Sequence, residues 1–114
     1  MVNYILDGHT PKPEPDLSKW GKWFETTERH VADTVIDDLR VSTVFLGIDH
    51  GWNERKPILF ETAIFQNGEV IDMARYATWE EAEKGHNNMC AELKTKLELA
   101  SLYTSDCIAK ITVR

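Results

Sequence analysis

The stretch ILFETAIFQNGEVIDMARYATWEE, residues 58–81, decides the fold. Ile58 to Phe65 is apolar or β-branched apart from Glu61, which marks a strand opened by Pro57. Asn67-Gly68 follows, the pair that best tolerates the positive φ angles of a type I′ hairpin turn. Glu69 to Ala77 therefore returns antiparallel. Thr78-Trp79-Glu80-Glu81 is then a capping box, in which the Thr hydroxyl and the Glu carboxylate each satisfy a free backbone N–H. The acids Glu80, Glu81 and Glu83 also suit the positive end of a helix dipole.

Downstream, Trp79, Ala82, His86, Met89, Cys90, Leu93, Leu97 and Ala100 recur at spacings of three and four, the apolar stripe of a helix. At 1.5 Å per residue that helix is about 33 Å long, more than a small sheet covers, and the excess could support a partner chain. Cys107 to Val113 has strand character and could add an edge strand to this sheet or to a neighbour's. Upstream, Val41 to Ile48 is the strongest strand signal, apolar on both faces as in a central strand covered on each side. His30 to Ile36 is rich in β-branched residues and joins it through an Asp37-Asp38 turn. Asp49 to Lys56 reads as a polar loop.

At the N-terminus, Val2 to Leu6 is a short strand candidate. Pro11, Pro13 and Pro15 then forbid helix and favour an extended arm. Asp16 is placed to cap a first helix, with Leu17, Trp20 and Phe24 on one face, ending near Thr27. The expected architecture is a single α+β domain over residues 1–114: an N-terminal helix, a four-stranded antiparallel meander, a long C-terminal helix and an optional C-terminal edge strand.

The 114 residues suit one domain, and 42% hydrophobic with 28% charged residues suits a globular chain. A net charge of −6 argues against a nucleic-acid backbone or an anionic membrane as partner, since surplus Lys and Arg hold both. No apolar run approaches the ~20 residues a bilayer demands, and the N-terminus lacks a signal-peptide pattern. Cys90 and Cys107 have no zinc or CxxC spacing, which fits a reduced, cytoplasmic setting.

Candidate chemistry is thin. Asp7, His9, Asp49, His50, Glu61 and His86 could do acid–base work or bind a divalent metal if the fold brought them together. No HxH or HExxH spacing links them, so neither a metal nor a cofactor is expected. Ordinary turn chemistry is the stronger reading of Asp7-Gly8-His9 and Asp49-His50-Gly51, and packing the stronger reading of His86, which continues a core stripe. Glu61 needs a partner within an apolar strand, with Arg75 across the hairpin as a candidate. No GxSxG elbow, P-loop or GxGxxG is present. Trp23 and Trp52 are candidate binding anchors, or packing residues over a sheet edge. Trp52, Arg55 and Lys56 together could grip a small nucleotide.

The segments ILDGHTP, EPDLSKW, RVSTVFLGIDHG, PILFETAIF and RYATWEEAEKGH resemble a set of small hypothetical proteins from bacteriophages and bacteria, over roughly residues 3–90. The resemblance implies a phage-type protein acting in the cytoplasm of a bacterial host and assigns no activity. The leading expectation is an accessory protein that binds, and in some settings inhibits, a host or defence protein, and a homodimer is compatible with it. The alternatives are a small metal-dependent or acid–base enzyme built on the Asp/His set, and a sponge for a signalling nucleotide.

Overall fold

The computed structural model describes the backbone of residues 2–51 and 56–111 and the side chains as far as Leu102. In chain order the elements are β1 (Tyr4–Asp7), β2 (Thr10–Pro13), α1 (Leu17–Thr26), β3 (His30–Ile36), β4 (Leu39–Phe45), β5 (Phe60–Gln66), β6 (Glu69–Tyr76) and α2 (Trp79–Ile111). Strands β3 to β6 form the expected four-stranded antiparallel meander in sequence order. Its two tight turns follow their residues. Asp37 lies at φ 53°, and Asn67 and Gly68 lie at φ 52° and 80°, the two positive angles of the hairpin expected there.

One face of the sheet is packed beneath α2. Val41 pairs with Ile64, Thr43 with Thr62 and Phe45 with Phe60, so these residues point together toward the helix. Ile36, Leu39, Val41 and Ile64 enclose Cys90, with Met89, Leu93 and Leu97 beside them. A second cluster at the other end of the sheet joins Phe45, Leu59, Phe60 and Ala82, and receives Tyr4, Leu6, Trp23 and Trp79. The capping box forms as read: Thr78 Oγ1 accepts from the Glu81 N–H at 3.1 Å, and Glu81 accepts from the Thr78 N–H at 3.2 Å. Gly85 lets this helix sit close to β6, because a Cβ there would overlap the Tyr76 phenol.

Asp16 caps α1 through the Lys19 N–H, and the helix ends at the expected Thr27. Leu17 stays 67% exposed, so the working apolar face of α1 is Trp20, Trp23 and Phe24. Trp20 Nε1 donates to the Tyr4 carbonyl at 3.0 Å and ties the helix to β1.

Three expectations are corrected. The proline arm is not a single extended segment. Gly8, at φ 61°, turns it into the two-stranded ribbon β1–β2, with Tyr4 opposite Pro13 and Asp7 opposite Thr10. Proline is tolerated because such a ribbon has outer edges that need no donor. The C-terminal edge strand does not form over the described part of its range, since α2 continues to Ile111; residues 112–114 lie outside the description. Beyond Gly85 the sequence has no Gly or Pro to stop a helix, and each added residue gains one backbone hydrogen bond. Finally, β4 is central in the sheet, but only one of its faces is covered among the described residues.

Candidate functional site

The two faces of the sheet hold different histidines. On the covered face, His86 is 1% exposed beneath α2, as its place on the helix stripe requires. Its Nδ1 meets Thr43 Oγ1 at 2.7 Å and its Nε2 meets Thr34 Oγ1 at 2.8 Å, while Thr43 meets Thr62 at 2.5 Å. A neutral imidazole has one donor and one acceptor, so the four side chains form a single directional chain of hydrogen bonds. Burial lowers the His86 pKa below its ordinary 6.5, against a smaller raising pull from Asp33. The ring is therefore held neutral at pH 7. Sealed from solvent, it has no route to a substrate, and its role is structural.

The other face has no covering element among the described residues. A β-bulge between His30 and Ala32 resets the alternation of β3, so that His30 pairs with Val44 and shares the open face with Ser42. Were β3 regular through Val31, that residue would pair with Val44 and His30 would fall on the helix side. Glu28 Oε1 lies 2.5 Å from His30 Nδ1 and also accepts the His30 backbone N–H at 2.9 Å. These bonds, the backbone one first, lower the Glu28 pKa and hold it ionised. His30 Nε2 lies 3.1 Å from Ser42 Oγ. Asp33 is 4.0 Å from the same nitrogen and is engaged by Arg40 through two bonds of 2.8 and 2.6 Å. That pairing lowers the Asp33 pKa and raises the Arg40 pKa. Across the sheet, Arg75 donates to Glu61 at 3.0 Å, the pairing the strand alternation requires. Beside these polar groups stand Val35, 72% exposed, with Val70, Ile71 and Met73 about half exposed.

The residues singled out in the sequence do not meet at one place. Asp7 pairs with Lys12 across the ribbon at 3.0 Å, and His9 at its tip stacks on Trp79 with ring centres 3.8 Å apart. Asp49 accepts the N–H groups of Gly51 and Ile58 at 2.8 and 2.9 Å, which lower its pKa, so it organises its own loop. His50 bonds the Ile48 carbonyl at 2.8 Å. Glu61 and His86 lie on opposite faces of the sheet. Among the described residues no three His, Cys, Asp or Glu side chains are placed to hold a metal ion.

Of the candidate anchors, Trp23 is a packing residue, edge-on to Phe45 at 5.8 Å. Lys56 lines a shallow cavity of about 210 Å³ with Tyr4, Pro11, Pro57 and Leu59. Trp52 and Arg55 lie outside the described residues. No helix among the described residues is long and apolar enough to cross a membrane. Sequence reasoning missed the Glu28–His30–Ser42 alignment. Its one local signal is the two-residue spacing of Glu28 and His30, and the bulge that turns the ring toward Ser42 has no signature in residue type. Comparison of the chain with protein-family models, with curated proteins and with solved structures gives no significant match.

Proposed function

We propose that the protein is a binding module that engages another protein through the open face of its sheet, as a small phage-type accessory factor in the bacterial cytoplasm. The observation that carries this reading is the apolar surface that no described residue covers, beside fixed charges. Val35, Val70, Ile71 and Met73 are all about half exposed or more, on strands held rigid by the meander. Val70, Ile71 and Met73 lie together on β6, and Val35 lies on β3 at the opposite edge of the sheet. Exposed apolar side chains interleaved with polar groups suit a protein-docking surface. Arg40–Asp33 and Arg75–Glu61 present pre-oriented charges that fix the register of a partner.

The edges of the sheet suit this role less well. Strand β6 carries a bulge between Ile64 and Phe65 of its partner strand, and Asp72 sits on its helix side; both features discourage edge-to-edge pairing. The face is therefore the better surface.

The test compares the wild-type chain with a Val35→Glu/Met73→Glu variant. Both substitutions are on exposed positions and leave the melting temperature unchanged. Immobilised wild-type protein captures a stoichiometric partner from bacterial lysate and the variant does not. Sedimentation of the isolated chain distinguishes a second copy as the occupant. Equal capture by both proteins, or none by either with a monomer in solution, overturns the reading.

A further inference from the structure

We propose that Ser42 is an activated nucleophile, able to take an acyl group from an activated ester. The case rests on the tautomer that the contacts impose. Glu28 is an ionised carboxylate, an acceptor only, and it lies against His30 Nδ1. Nδ1 therefore carries a ring proton, and in the neutral tautomer that this fixes Nε2 is the acceptor. Among the described residues, the donor that faces Nε2 is the hydroxyl of Ser42, at 3.1 Å. The Ser42 proton thus points at a base whose far side is held by a carboxylate, the arrangement by which a serine hydroxyl becomes nucleophilic.

The alignment is built by several elements. Glu28 precedes β3, His30 opens it, and the bulge turns the ring onto the face where β4 presents Ser42. Ser42 is 8% exposed, so its neighbours hold the hydroxyl in one place and leave only a small part of the residue accessible. Arg40, half exposed and anchored on Asp33, supplies a fixed positive charge on the same face.

The backbone around Ser42 limits the rate. Its strand is paired on both sides, with Asp33 and with Ala63, so the flanking amides serve the sheet ladders and not a developing oxyanion. The acceleration then comes from the base alone, about 10²–10⁴-fold for general-base assistance, and the expected behaviour is slow acylation rather than rapid turnover.

With 4-nitrophenyl acetate as probe, Ser42 Oγ bonds to the acetyl carbon while the bond from that carbon to the aryl oxygen breaks. The hydroxyl proton passes to His30 Nε2 and then to solvent, and 4-nitrophenolate leaves. Glu28 stays ionised throughout.

The experiment incubates the full chain with this ester at neutral pH, follows nitrophenolate release and maps the acetyl group by peptide mass spectrometry. The expected result is acetyl on Ser42, lost in Ser42→Ala and slowed at least tenfold in His30→Gln and in Glu28→Gln, all with wild-type melting curves. Ser42→Cys, which keeps the geometry with a better nucleophile, is labelled at the same position. Acetyl on lysines alone, or equal labelling of Ser42 in His30→Gln, overturns the proposal.

Discussion

Replacing His86 by Leu tests the buried hydrogen-bond chain, and its cost can be worked from the groups left behind. Thr43 and Thr62 are both fully buried and bond each other, so after the change one of the two hydroxyl protons has no acceptor. A buried unsatisfied donor costs about 1–3 kcal/mol. Thr34, less buried, loses its bond to Nε2 and adds about 0.5–1.5 kcal/mol. Leu recovers part of this, because it has no polar atoms to desolvate. The net loss is about 2–3 kcal/mol, roughly 10–15 °C of melting temperature in a domain of this size. Thermal and urea melts followed by circular dichroism read it directly. The decisive arm is a change of sign. Thr43→Val with Thr62→Val in the wild type strands the buried Nδ1 and destabilises, whereas in the His86→Leu background it removes the last fully buried hydroxyls and stabilises by about 1–2 kcal/mol. A pH arm follows from the lowered His86 pKa. Below pH 6.5 the unfolded chain binds a proton that the folded ring resists, so stability is fully present above 6.5 and falls as pH drops toward the folded pKa. His86→Leu abolishes that part of the acid sensitivity. If the valine pair costs the same in both backgrounds, the chain of bonds does not act as a unit and the reasoning fails.

Gly85→Ala improves helix propensity by about 1 kcal/mol, yet should lower stability by about 1–2 kcal/mol, because the new methyl meets the Tyr76 ring. Gly85→Ala with Tyr76→Leu should regain much of that loss in a urea melt. Asp49→Ala leaves the Gly51 and Ile58 N–H groups without their acceptor and should cost about 1–2 kcal/mol. The lowered Asp49 pKa gives the opposite end of the pH scale its own loss. The folded carboxylate resists protonation, so this stabilisation is present above about pH 4 and disappears as pH falls through the folded pKa, an acid transition that Asp49→Ala should soften. Arg75→Met removes the partner of the Glu61 carboxylate and, since the pair is partly exposed, should lower stability by no more than about 1 kcal/mol in a urea melt.

The helix, the hairpin and the caps were legible because their signals are local. Asn67-Gly68, Thr78-x-x-Glu81 and Asp16 each specify backbone geometry within four residues, and each forms as read. Glu61 was legible one level up, since fixing the hairpin register placed Arg75 opposite it. The open face was not. Apolar residues on both sides of Val41–Ile48 suggest cover on both sides, but the pattern records only that the residues dislike water, and a binding surface dislikes it as a core does. His30 shows a deeper limit. Side-chain direction in a strand depends on the parity of every residue counted from a fixed pair, so one bulged residue at Val31 inverts the direction of all that precede it. Nothing in residue type marks Val31 as the inserted one, since it packs at the end of the core as any valine would. The same inversion that hid the Glu28–His30–Ser42 alignment from the sequence explains how it arises at all. A strand without the bulge would send His30 to the helix side, where His86 already occupies the threonine hydroxyls, and would leave Ser42 facing the open surface with no base beside it.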